Sequence, residues 1–178
     1  LLFSLLLSTA PDAVGAPPKP AAESNNDKPL IPRELASDED IARALREHYT
    51  KHEFRIPMRD GVRLFTHVYV PKDSSRRYPF LMTRTPYGIA PYGVDNYPSA
   101  KEPRQLRGLA PATALIAHGM IFVQQDVRGK LMSEGVFSDV TPYIENKRTA
   151  KDVDESSDAY DTIDWLVKNV PGNNGKVG

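Results

Sequence analysis

The stretch Asp154-Glu155-Ser156-Ser157-Asp158-Ala159-Tyr160-Asp161-Thr162-Ile163-Asp164-Trp165-Leu166-Val167-Lys168-Asn169-Val170-Pro171-Gly172-Asn173-Asn174-Gly175-Lys176-Val177-Gly178 decides the fold. Ala159, Ile163, Leu166, Val167 and Val170 recur at helical spacing, which predicts a helix over 154–170 with one apolar stripe. Acidic residues open it and Lys168 closes it, matching the helix dipole. Pro171-Gly172-Asn173-Asn174 then reads as a loop, and Lys176-Val177-Gly178 as the first residues of a buried strand. A strand ahead of this helix completes the pattern: Met120-Ile121-Phe122-Val123-Gln124-Gln125, bounded by Asp126-Val127-Arg128-Gly129. Its unbroken apolar run suits a sheet covered on both faces.

Upstream, the pattern begins with Ser37 as a helix cap and Asp38, Glu39 and Asp40 at the positive end. Ile41, Leu45 and Tyr49 share one face, so this helix is expected to end near Thr50. Strands over 54–58 and 62–70 flank Arg59-Asp60-Gly61, a tight-turn signal because Gly accepts positive φ. Pro57 marks its strand as an edge. A short apolar strand over 79–83 leads into Arg84-Thr85-Pro86-Tyr87-Gly88. Residues 88–108 are rich in Gly, Pro and Tyr without a period, and long loops of this kind are functional or disordered. A crossover helix is predicted over 109–118, ended by Gly119, and 138–153 reads as a polar surface excursion. The fold class is therefore α/β, with a leading antiparallel hairpin, then parallel strands joined by crossover helices.

Composition narrows the function. The 178 residues are 40% hydrophobic and 26% charged, ordinary for a globular chain. Lys+Arg and Asp+Glu both total 23, which argues against a nucleic-acid partner because phosphate binding needs a basic surplus. The absence of cysteine excludes disulfides, thiolate metal sites and a cysteine nucleophile. Leu1-Leu2-Phe3-Ser4-Leu5-Leu6-Leu7 is too short to span a bilayer, and small residues follow it. Residues 1–16 thus read as the remnant of a secretory signal peptide, with cleavage after Ala10 or Ala16, and the protein as exported, periplasmic or secreted, with no membrane contact afterwards. Residues 17–36 read as an extended leader or arm, and 37–178 as the ordered domain.

Four motifs carry a resemblance. Pro57-Met58-Arg59-Asp60-Gly61-Val62-Arg63-Leu64, Arg84-Thr85-Pro86-Tyr87, Gln125-Asp126-Val127-Arg128-Gly129 with Ser133-Glu134-Gly135, and residues 158–166 occur in that order. Together they resemble the amino-terminal half of the catalytic domain in the CocE/NonD serine hydrolases, a family that includes X-Pro dipeptidyl-peptidases, cocaine esterase, cephalosporin acylases and α-amino acid ester hydrolases. The closing residues 164–178 are most similar to the ester hydrolases. The resemblance implies an α/β-hydrolase fold and an ester or amide substrate, either a small molecule or a short peptide. It also implies a serine nucleophile, acid and base that all follow Gly178, leaving this stretch inert alone. An arm over 17–32 would, by the same resemblance, reach a second subunit in a homo-oligomer.

Site residues follow from it. The resemblance assigns Tyr87 to the oxyanion hole, where its phenol donates to the developing O⁻. Phenols suit this because they hold a proton near neutrality on an apolar body that packing can fix, and Pro86 restricts the backbone before it. Asp126 and Arg128 end a central strand at the edge where ligands bind in open sheets. They fit a cleft pair or, more plainly, an ion pair with each other that holds the Gly129 turn. Tyr92 and Tyr97 are candidates to line an acyl pocket, or to pack their own loop. His48, His52, His67 and His118 are rejected as the base, since the catalytic histidine comes last in this chain order. Asp152, Asp154, Glu155 and Asp158 lack the spacing of a calcium loop and read as a solvated helix start. With no P-loop, dinucleotide fingerprint or zinc pattern, no cofactor or metal is expected. The alternative is a non-catalytic binding protein on the same fold.

Overall fold

The computed structural model describes residues 28–31, 34–109, 111, 113–139 and 141–178. The elements run α1 (Asp38–His48), β1 (Tyr49–Pro57), β2 (Arg63–Pro71), β3 (Tyr78–Thr85), α2 (Pro103–Leu109), α3 (Thr113–His118), β4 (Ile121–Asp126), α4 (Glu155–Asn169) and β5 (Asn173–Val177). The strands form one sheet in the order β1-β2-β4-β3-β5. β1 pairs antiparallel with β2, and β2 antiparallel with β4. β3 lies parallel between β4 and β5. The expected change from an antiparallel hairpin to a parallel sheet is thus what the chain adopts, and Pro57 does lie on an edge strand.

The alternation of side chains gives the sheet two different faces. On one, Tyr49, Tyr69 and Phe122 pack with Ile41 and Leu45 of α1, Leu106 of α2 and Ile116 of α3. On the other, Leu64, Val68, Phe80, Ile121 and Val123 pack against Leu166 and Val170 at the end of α4. All six residues of β4 are buried, yet Gln124, Gln125 and Asp126 at its carboxyl end are polar. Buried polar groups call for partners inside the protein: Gln125 bonds Thr66 and Thr162, and Asp126 Oδ2 accepts from Tyr92, while Asp126 Oδ1 has no hydrogen bond.

Several boundaries differ from expectation. The helical period through Tyr49 continues one residue past the helix: α1 ends at His48 and β1 starts at Tyr49, five residues before the expected 54. The predicted helix over 109–118 forms only as α3 (Thr113–His118), after Pro111 with its missing N–H and fixed φ, and a second short helix, α2 (Pro103–Leu109), lies almost wholly within the stretch expected to be loop. The inward face of α4 is Asp158, Thr162 and Leu166, while Val167 is exposed and Ala159 and Ile163 are only half-buried. The stripe is turned because polar groups at the rim need polar neighbours from the helix. Lys176 and Val177 do lie in a strand, but β5 is at the outer edge of the described sheet with Asn174, Gly175 and Lys176 exposed, not buried on both faces.

The signal-peptide stretch and most of the 17–36 arm lie outside the described residues. The described part is docked: the Ile31 N–H donates to the Ala117 carbonyl at 3.1 Å, and Ile31 and Leu35 are buried against α1 and α3.

Two turn glycines separate conformational need from spatial need. Both have positive φ, +89° at Gly61 and +68° at Gly129. A Cβ on Gly61 would meet nothing within 4 Å, whereas one on Gly129 would stand 2.1 Å from the Phe137 backbone nitrogen. Gly61→Ala should cost about 1–2 kcal/mol for left-handed backbone alone. Gly129→Ala adds overpacking against backbone and should cost about 2–4 kcal/mol. Denaturant unfolding of the two variants checks the order, and an equal or reversed cost would refute it.

Candidate functional site

The parallel strands β3 and β4 end side by side, with Thr85 opposite Asp126. Beyond them, at one rim, lie the Met58–Val62 turn, Tyr87, the 126–135 loop and the start of α4. The Val62 carbonyl accepts from Met58 N–H at 2.8 Å and closes the turn. Tyr87 follows β3 directly. Its N–H donates to Thr85 Oγ1 at 3.1 Å, and the residue is 92% exposed, with its phenol free of the packing below.

Arg128 and Asp126 are not paired with each other, contrary to the plainer expectation. Arg128 Nη1 donates to Asp60 Oδ2 at 2.7 Å, and its Nε and Nη2 grip Asp158 at 2.9 and 2.7 Å. Hydrogen bonds donated to Asp158 and Asp60 raise the Arg128 pKa further above the ordinary guanidinium range. Arg128 is thus engaged by the hairpin turn and by α4, and has no free donor fork turned to a ligand. Neighbouring pairs extend this arrangement. Arg59 binds Asp161 through backbone and side chain, and Arg84 bridges Gln125 and Glu155. Gln125 in turn donates to Thr66 and Thr162.

At the acidic start of α4, Asp154 and Asp158 are buried instead of solvated, while Asp152 and Glu155 keep partial exposure. Asp154 is the N-cap, in a reciprocal box with Ser157, and accepts from Ile144 N–H and lies 2.6 Å from Lys147 Nζ. Asp158 is 1% exposed because Arg128 neutralises it in place. These carboxylates are consumed by structure.

Asp126 sits on the opposite face and is fully buried. Oδ2 accepts from the Tyr92 hydroxyl at 3.0 Å and, weakly, from Met132 N–H at 3.4 Å. Burial raises its pKa above the usual carboxylate range, and burial beside Asp126 pushes the Tyr92 phenol up to about 12. Tyr92 also packs its ring on Phe65 and His67. It is therefore a support under the rim, and Tyr97 likewise ties its hydroxyl to the Tyr49 carbonyl at 3.1 Å.

Sequence reasoning missed a further cluster on this face. Lys51 and Glu53 alternate on β1, and His67 stands opposite Glu53 on β2. His67 Nε2 lies 2.9 Å and Lys51 Nζ 3.3 Å from Glu53 Oε1. Burial, and then the Lys51 charge, push the His67 pKa down to about 4. The other three histidines lie away from this cluster, at the end of α1, on β1 and at the end of α3. The period-2 alternation of Lys51, Glu53 and Arg55 is the available signal, hidden because the helical period of α1 runs on into Tyr49.

An open sheet whose parallel strands end at a common rim, with the chain crossing over by helices, defines the hydrolase-like α/β class. Residues 60–178 match the X-Pro dipeptidyl-peptidase (S15) family. The cocaine esterase of Rhodococcus sp. (strain MB1 Bresler) is 32% identical over 125 residues, 69% of this chain and 18% of that protein. The structure of an α-amino acid ester hydrolase is 35% identical, with a TM-score of 0.56 over 90% of this chain and 24% of its own. That of an aminopeptidase from the marine sediment archaeon Thaumarchaeota archaeon is 34% identical, with a TM-score of 0.54 over 86% of this chain and 24% of its own. The chain belongs to the S15 family of CocE/NonD-type hydrolases, and it spans 18–24% of the length of these relatives.

The buried histidine makes a pH prediction. Its pKa of about 4 in the fold lies below the ordinary value of about 6.5 in the unfolded chain. The unfolded state then binds the proton first, so this contribution is complete above about pH 6.5 and is lost as pH falls toward 4. His67→Gln should flatten the acid side of the stability profile by up to about 1.4 kcal/mol per pH unit in that window. Denaturant midpoints of both proteins from pH 7 to 4 test this; parallel profiles would contradict it.

Proposed function

We propose that the protein hydrolyses an ester or amide through a serine acyl-enzyme, with Tyr87 donating a hydrogen bond to the tetrahedral oxyanion. The observation that carries this reading is the position of Tyr87: just past the carboxyl end of β3 and 92% exposed, while Tyr92 and Tyr97 are taken up by Asp126 and Tyr49. Its backbone is restrained by the Thr85 hydroxyl, so the phenol is presented from a fixed base. A fixed donor does not have to reorganise as charge develops on the carbonyl oxygen, and such a donor lowers the barrier by about 2.7–4 kcal/mol.

On this proposal sequence beyond Gly178 supplies the serine, the acid and the histidine. Serine attacks the carbonyl carbon and its proton passes to histidine. The oxyanion is held by Tyr87 and a backbone N–H, and histidine returns the proton to the leaving group. Water then releases the acyl group by the same steps. The relatives' names suggest an α-amino acyl ester or an X-Pro peptide as substrate, and the motif resemblance to cephalosporin acylases adds a β-lactam side chain. Among these the α-amino acyl ester is favoured, because the ester hydrolase structure shares 35% identity over 90% of the chain.

Two measurements on the full-length protein test this. A fluorophosphonate probe should label it; absence of labelling would favour a non-catalytic role for the fold. Tyr87→Phe should lower kcat by about 10²–10³-fold with little change in KM. A larger effect on KM than on kcat would place Tyr87 in ground-state binding instead.

A further inference from the structure

The 88–97 loop begins one residue after Tyr87 and covers the polar half of the sheet face that carries Asp126. Nothing in its sequence is helical or strand-like, and loops without a ladder rely on side chains to hold their carbonyls. Here Asn96 Nδ2 holds the Tyr92 carbonyl at 2.7 Å, and a single side chain from outside the loop holds three others. Lys51 Nζ donates to the carbonyls of Pro91, Gly93 and Asn96 at 2.6, 2.9 and 3.0 Å. Its side chain is fully buried. All three protons of the ammonium are directed into one loop, so the three acceptors are satisfied at once.

Glu53 completes the grip. Its Oε1 accepts from Gly93 N–H at 2.6 Å and stands 3.3 Å from Lys51 Nζ, which offsets the buried charge. At the far end of the loop, the Tyr97 hydroxyl accepts from Lys51 N–H at 2.9 Å and donates to the Tyr49 carbonyl. At the near end, Ile89 is 1% exposed and its backbone lies against Asp126, Tyr92 and His67. Tyr87 is separated from Ile89 only by Gly88. A Cβ at Gly88 would come within 2.7 Å of Leu131, so the link is also closely packed from the 126–135 side.

We propose that Lys51 is a positioning residue for Tyr87: by holding the 88–97 loop on β1, it fixes the backbone from which the phenol projects. This rests on the oxyanion reading of Tyr87. The residue touches no substrate. Its effect is on where the donor stands, and a small misplacement of a catalytic group is costly in rate. Methionine at 51 would keep the chain length and remove all three donors together with the charge.

The test is a double-mutant cycle in the full-length enzyme with an ester substrate, joined to hydrogen exchange of the 87–97 amides. Lys51→Met should lower kcat by about tenfold or more with KM little changed, and speed exchange across the loop. In a Tyr87→Phe background the same change should cost almost nothing further in kcat, since the misplaced group is already gone. An equal loss of kcat in both backgrounds, or unchanged exchange in the loop, would overturn the proposal. Full kcat in Tyr87→Phe alone would instead overturn the oxyanion reading, and loop exchange would still decide whether Lys51 is the clamp. If Lys51→Met does not accumulate as folded protein, Tyr97→Phe releases the other end of the loop and is read in the same cycle.

Discussion

The Arg128 guanidinium draws together parts of the chain that are distant in sequence. Asp60 comes from the first hairpin turn and Asp158 from the first turns of α4, and both carboxylates reach the same planar fork. Two largely buried acids beside each other would repel and lose hydration; with Arg128 between them they are matched in charge and geometry. The hairpin, the end of β4 and the crossover helix are thereby set at fixed distances. Everything at the rim, from the exposed Tyr87 to the Gly129 turn, is referred to that frame.

The rest of the rim follows from burying a strand whose second half is polar. β4 begins with Ile121, Phe122 and Val123, which fill two apolar cores, and ends with Gln124, Gln125 and Asp126. Burial of these three without partners would cost several kcal/mol. On the α4 face the answer is a hydrogen-bonded group of Thr66, Arg84, Gln125 and Thr162. On the other face it is Tyr92 over Asp126, continued by His67, Glu53 and Lys51 to the loop. The lower sheet supplies stability by apolar burial, and the upper sheet supplies shape by directional polar contacts. On the proposed reading, rigid shape at the rim would hold donors in place before charge develops.

Much of this was legible in the residues. Asp60-Gly61 announced its turn, Pro57 its edge, Ser37 its cap, and the unbroken run at 121–123 a sheet covered on both sides. These are local effects: a positive φ, a missing N–H, a capped N–H, an apolar strand. Tyr87 was found by resemblance, and its place after β3 and its exposure agree with a role at the rim. The departures have two separate causes. Ile41, Leu45 and Tyr49 keep a helical period into a residue that is already strand, which masks Lys51 and Glu53 as neighbours on β1. The stripe on α4 was read from its apolar residues, although its inward face is set by Asp158 and Thr162.

Sequence alone determined the order of strands and helices, the turn positions and the family, because each depends on contacts between residues a few places apart or on motifs kept in line. Only the tertiary structure decided which charges meet. Arg128 chose Asp60 and Asp158 over the nearer Asp126, and Lys51 found carbonyls some forty residues away. Such partners are set by how the sheet stacks its strands and which face each side chain takes, and a pairing across tens of residues leaves no periodic trace in the chain.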